Sequence, residues 1–167
     1  MTIKVGDRLP AGTLSEYVEV ATEACPIGPN QFQIDALTKG KKVVLFGLPG
    51  AFTPTCSGKH VPGYVEHFGD LKAKGVDEIV CISVNDAFVM GAWGEQQGAG
   101  DKVAMLADGN GDFTRALGLE MDASRFGMGK RSQRFSMVVD DGVVKALNVE
   151  EPGAFSVSSA DHVLKQL

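Results

Sequence analysis

Three short apolar runs constrain this chain most: Val43 to Leu48 (VVLFGL), Glu78 to Val84 (EIVCISV) and Val103 to Ala107 (VAMLA). Each is continuous rather than alternating and too short for a core helix, which is the pattern of a strand buried on both faces of a parallel sheet. Parallel neighbours need crossover connections of roughly a dozen residues or more. The intervening stretches, Pro54 to Lys74 and Asp86 to Gln97, are long enough to be those helices. The pattern then changes. Phe135 to Asp140 (FSMVVD), the dipeptide Asp141-Gly142, and Val143 to Val149 (VVKALNV) predict an antiparallel hairpin, because Asp-Gly suits a two-residue hairpin turn. Ser158 to Leu167 predicts a short final helix capped by Ser158 or Ser159. At the other end, Leu14, Tyr17, Val18 and Val20 alternate weakly before the turn-rich Cys25 to Asn30 (CPIGPN), which predicts an N-terminal hairpin and connection. The expected architecture is βαβαβ followed by ββα in one α/β domain, residues 1–167, with no linker or repeat.

Composition narrows the function. Lys plus Arg is 16 against 21 Asp plus Glu, for a net charge of −5, and 44% of residues are hydrophobic. A broad basic face for nucleic acid and a disordered chain are both disfavoured. The longest nearly apolar stretch, 43–52, contains a proline and is half of the ~20 residues a spanning helix needs, so no membrane association is expected. The start, MTIKVGDRLPAG, carries neither a secretory apolar region nor a transit-peptide pattern, and a reducing, cytoplasmic setting is the expectation. The three cysteines, Cys25, Cys56 and Cys81, form no C-x-x-C pair, and with three histidines in the chain a structural zinc site is poorly supplied.

The chemistry concentrates in Leu48 to His60, LPGAFTPTCSGKH, where a buried strand gives way to a helix. Thr53 suits an N-cap and Pro54 the first helical position, which sets Cys56 third in the first turn, facing free N–H groups and the positive end of the helix dipole. A free cysteine of pKa ~8.5 is only about 3% thiolate at pH 7. Lowering that to near 6 takes ~3.4 kcal/mol, more than the dipole supplies, so a nearby cation or further hydrogen bonds are to be sought. The candidates are Lys59 and the cluster Lys130, Arg131, Arg134, with a guanidinium the better choice in a partly dry site. Three blander readings stand beside this one. Cys56 as a small core hydrophobe is opposed by its polar flanks. Cys56 and His60, at i and i+4 with Cys25 or His67, as a metal site is the weakest. The basic cluster as a merely solvated face is the third.

The stretch PGAFTPTCSGKHVPGY resembles the active-site motif of the peroxiredoxins, in particular the type II, peroxiredoxin-five-like subfamily. The resemblance continues through KGVDEIVCISVNDAFVMGAW (74–93), LADGNGDFTRALGL (106–119) and RFSMVVDDGVVKALNVEEPG (134–153). It implies a thioredoxin-like fold, a central mixed sheet flanked by helices with an N-terminal hairpin extension. It also implies a thiol peroxidase that needs no metal, haem or flavin. By resemblance Cys56 is the peroxidatic cysteine that becomes a sulfenic acid, Thr53 hydrogen-bonds the peroxide, Pro49 shields the site and Arg131 is the active-site arginine. Hydrogen peroxide or an alkyl hydroperoxide is the implied substrate, glutaredoxin with glutathione or thioredoxin the reductant, and a homodimer the assembly. The stretch EEPGAFSVSSADH lacks the resolving cysteine that some members carry there. Cys81, 25 residues after Cys56, matches the position used by plant-like members, yet lies in an expected core strand; Cys25 takes no role. The competing functions are a disulfide oxidoreductase, disfavoured by the single thiol on the Cys56 turn, or a glutathione transferase, both on the same fold, and a sensor or thiol chaperone using Cys56 stoichiometrically.

Overall fold

The structure, a computed structural model, describes residues 1–17 and 29–167. Val18, Val20 and Cys25 of the predicted hairpin and turn lie outside the described residues. The flanking parts form β1 (Thr13–Tyr17) and β2 (Pro29–Gln33), paired antiparallel with Thr13 opposite Gln33. The three apolar runs become β3 (Lys42–Gly47), β4 (Glu78–Ser83) and β5 (Ala104–Ala107), and the Asp-Gly hairpin becomes β8 (Phe135–Asp140) and β9 (Val143–Val149). The seven-stranded sheet runs β2-β1-β5-β4-β3-β8-β9. Its centre, β5-β4-β3, is parallel, while β1 joins β5 and β8 joins β3 antiparallel.

Each continuous run alternates between two cores, because successive strand residues point to opposite faces. Val44, Phe46, Ile79 and Cys81 pack on the face that also holds Cys56 and Tyr64. Val43, Leu45, Val80 and Ile82 pack on the other with Leu14, Phe113 and Leu117. The crossover helix α4 (Ala87–Gln96) starts where expected, with the Asp86 carboxylate accepting from Val89 N–H, and the final helix α6 (Ala160–Leu164) is capped by Ser159.

The stretch 54–74 departs from one continuous helix. It opens into a π turn over Cys56–His60, resumes as α2 (Val61–Glu66), breaks at His67 and ends as α3 (Phe68–Ala73). Pro62 accounts for the π turn: it has no N–H to give the ladder and its ring would crowd the carbonyl of Gly58. Instead Val61 N–H reaches back to the Cys56 carbonyl, which widens the turn. Further short elements were not legible as patterns: α1 (Ile34–Thr38), α5 (Asp112–Leu117) and the two-stranded pair β6 (Glu120–Asp122) and β7 (Lys130–Ser132).

One contact fixes the active end of the sheet. Phe135 stands opposite Gly47, and a Cβ on Gly47 would lie 2.2 Å from the Phe135 ring, so only glycine lets β8 close there.

Candidate active site

The chain leaves β3, turns through Phe52 in the left-handed region (φ 64) and enters the helix at Pro54. That conformation is costly for a bulky residue, and the turn is held from several sides. Ala51 N–H donates to the Asn85 side chain at 3.0 Å, and the Thr53 hydroxyl donates to Gly50 O at 2.8 Å. The Thr53 side chain therefore braces the turn instead of capping a helical N–H, and its lone pairs stay available to accept. The first helical bond is Ser57 N–H to Thr53 O, so the N–H of Cys56 precedes the ladder. Trp93 of α4 donates its indole N–H to Ser57 Oγ at 2.9 Å, pinning the π turn from outside.

Cys56 is sealed, at 0% exposure, and its sulfur has a cationic donor. That donor is Arg134: Nη2 lies 3.2 Å from Sγ. This differs from the sequence expectation that Arg131 stands there. Arg131, in β7, donates from Nε to Met128 O at 2.9 Å and reaches Pro49 O at 3.5 Å through Nη1, so it braces the loop around Pro49. The register gives the reason. Arg134 immediately precedes β8, whose first residue sits at the end of β3, and so it projects where the Cys56 turn begins. Nothing local in the sequence separates the two arginines; the antiparallel placement of the hairpin against β3 does. Lys59 is exposed, and Lys130 is exposed and paired with Asp122 at 3.2 Å, as a solvated face would be.

His60 is buried and fully engaged. Arg134 Nη1 donates to its Nδ1 at 2.9 Å, and Nε2–H donates to Ser158 O at 3.1 Å. A guanidinium cannot accept and a carbonyl cannot donate, so these partners dictate a neutral Nε2–H tautomer. Burial, then the Arg134 charge, lowers its pKa to about 3. Tyr64 OH donates to the same Ser158 carbonyl at 2.8 Å. Behind them Glu150 gathers the 156–158 segment, accepting from Ser156, Val157 and Ser158 N–H at 2.7, 2.7 and 2.8 Å and from Ser158 Oγ at 2.9 Å. Burial raises the Glu150 pKa, but these donors outweigh it and leave it lowered. Sequence reasoning missed Glu150 and Ser158. Cys81 sits at the centre of β4 between Phe46 and Met105, and burial pushes its thiol well up. Among the described residues no three His, Cys, Asp or Glu side chains gather as a metal-binding group, and both His60 nitrogens are already taken.

A redoxin family model matches residues 4–164. Over 99% of its length the chain is 55% identical to Peroxiredoxin-2E-2, chloroplastic, of Oryza sativa subsp. japonica, of which it covers 73%. It is 53% identical, again over 99%, to Peroxiredoxin-2E, chloroplastic, of Arabidopsis thaliana, of which it covers 70%. The structure of reduced Prx3 from Vibrio vulnificus in complex with hydrogen peroxide matches with a TM-score of 0.90 at 53% identity over 99% of both chains. The chain belongs to the peroxiredoxins. This peroxiredoxin has the thioredoxin-like fold of the type II members and is a thiol-dependent peroxidase. One of these relatives, Vibrio vulnificus Prx3, is seen with hydrogen peroxide bound. The cytoplasmic expectation is overturned: the Oryza and Arabidopsis relatives are both chloroplastic proteins. Compartment is written in address signals, which the peroxiredoxin fold does not encode.

Proposed function

We propose that Cys56 is the peroxidatic thiol and that Arg134, not Arg131, is the cation that serves it. The observation that carries this reading is the 3.2 Å donor from Arg134 Nη2 to a sulfur at 0% exposure. A fixed guanidinium favours thiolate over thiol and stabilises negative charge as it moves from sulfur to oxygen. In the reaction the thiolate attacks the terminal peroxide oxygen. The S–O bond forms, the O–O bond breaks, and the departing alkoxide or hydroxide takes a proton to leave as alcohol or water. Cysteine sulfenic acid remains. The Thr53 hydroxyl, its proton committed to Gly50 O, accepts from the peroxide O–H. Pro49, half-buried beside Arg131, shields the turn from water.

Two external thiols then return the sulfenic acid to thiol, forming their own disulfide and releasing water. Glutaredoxin with glutathione, or thioredoxin, is the proposed source, because Cys81 is locked in a central strand. Dimedone labelling after one equivalent of hydrogen peroxide tests the assignment. An adduct on Cys56 is expected, and an adduct confined to Cys81 or Cys25 overturns it. Parallel turnover with the three reductants ranks them.

The proposed assembly is a homodimer through the rim near the turn, where Phe52 and Phe88 are 50% and 55% exposed, and Phe126 68%. Trp93, on the same helix as Phe88, is buried, its ring 6.3 Å from that of Phe52. A light-scattering mass near 17.6 kDa at tens of micromolar would count against the dimer.

A further inference from the structure

We propose that His60 is a positioning residue for peroxide reduction: it aims the Arg134 guanidinium at Cys56 and ties that arginine to the 150–158 segment. The inference rests on the reading that Arg134 serves Cys56.

A guanidinium is a planar fork, so fixing one terminal nitrogen constrains where the other points. Arg134 spends Nη1 on His60 Nδ1 and Nη2 on Cys56 Sγ, at 2.9 and 3.2 Å. His60 is itself immobilised. Its Nε2–H is held by Ser158 O, and its ring lies 4.9 Å from Phe46 and 5.1 Å, edge-on, from Phe155. Phe155 also lies under the Arg134 guanidinium at 5.8 Å. Ser158 is anchored by Glu150, and Glu150 N–H donates to Arg134 O at 2.9 Å. The bonds thus close a ring, from Arg134 through His60, Ser158 and Glu150 back to the Arg134 backbone. A neutral imidazole is the partner such a ring requires, since a protonated one would set a second cation and an N–H against the guanidinium.

A core filler and an aiming device respond differently to substitution. In His60→Asn the amide oxygen falls near the place of Nδ1 and still accepts from Arg134; in His60→Leu nothing accepts. The readouts are kcat/KM for hydrogen peroxide and the native-state rate of Cys56 alkylation by iodoacetamide. For His60→Leu both fall by about 10- to 100-fold, the scale of a misplaced catalytic group, and His60→Asn restores most of the loss. In an Arg134→Met background His60→Leu costs nothing further, because the group it aims is gone.

His60→Leu at the wild-type rate, His60→Asn as slow as His60→Leu, or full additivity with Arg134→Met overturns the proposal. If Arg134→Met itself leaves both rates unchanged, the underlying assignment of Arg134 fails and this inference with it. If Arg134→Met is slow and His60→Leu is not, only the inference fails. Nitrogen-15 NMR of the imidazole covers the case in which His60→Leu does not fold. The neutral Nε2–H tautomer is expected, with an Nδ1 resonance that moves in Arg134→Met. An imidazolium, an Nδ1–H tautomer or an unmoved Nδ1 overturns the proposal.

Discussion

Cys56 and Cys81 are equally sealed from solvent and belong to the same core, each at 0% exposure. Their polar company differs. Cys81 is set in the strand ladder between Phe46 and Met105, and burial pushes its thiol pKa well up. Cys56 rides a π turn at the head of an interrupted helix, with a guanidinium on its sulfur. Burial alone makes a core thiol; burial with a fixed cationic donor makes a site for a thiolate.

The largest effect expected from this contrast is an all-or-none one. Cys56→Ser abolishes peroxide turnover, while Cys81→Ser keeps most of it with glutaredoxin or glutathione as reductant. A disulfide needs Cα atoms within ~7 Å and matched Cβ directions. Cys81 is held in the ladder of β4 and Ser57, next to Cys56, is tied to Trp93, so the two cysteines are expected to stay unjoined. Non-reducing peptide mass spectrometry after one equivalent of peroxide checks this. A dominant Cys56–Cys81 bridge, with turnover lost in Cys81→Ser under every reductant, would erase the distinction.

Next in size is the donor itself. Arg134→Met slows peroxide reduction by about 10² or more, the cost of removing one charge-stabilising donor, whereas Arg131→Met, which loses a brace on Pro49 O, stays within about tenfold. Stopped-flow rates decide, and a larger loss in Arg131→Met would return the role to that residue.

Glu150 sharpens the comparison at the level of stability. Its carboxylate holds three backbone N–H groups and the Ser158 hydroxyl, in the segment whose Ser158 carbonyl holds His60 on the Cys56 side of the molecule. Glu150→Gln is expected to lower the urea unfolding free energy by about 1–3 kcal/mol, in line with losing charge-assisted bonds at a buried group. An unchanged midpoint would show that the segment holds itself.

The smallest effect is a pH slope. His60 has its pKa lowered from 6.5 to about 3 by burial and by Arg134, so the unfolded chain takes up this proton before the folded one does. Its contribution to stability is complete above pH 6.5 and is lost as pH falls from there toward 3, at no more than about 1.4 kcal/mol per pH unit. His60→Asn removes that component, so its urea midpoint should fall less steeply than the wild type's between about pH 6 and pH 4. Parallel curves would contradict the buried neutral imidazole.

Much of this could be read from residue order alone. Continuous apolar runs spaced by helix-length stretches require a parallel centre, Asp141-Gly142 requires a hairpin, and the polar flanks of Cys56 mark a reactive turn; all are local, and local preferences survive in a linear text. The short elements escaped because five or six residues carry little propensity of their own. α5 exists because buried Asp108 accepts from Phe113 N–H, Thr114 N–H and the Thr114 hydroxyl. The choice between Arg131 and Arg134 was likewise beyond the sequence, since both are the same side chain three positions apart in one basic cluster. The tertiary structure decided it when β8 closed antiparallel on β3 and set Phe135 against Gly47. Likewise, His60 and Glu150 became part of the site only because folding brings residues 60, 134, 150 and 158 together. A guanidinium acts on a thiolate over about 3 Å, and contacts of that length between distant segments are made by strand register and packing, which no local pattern encodes.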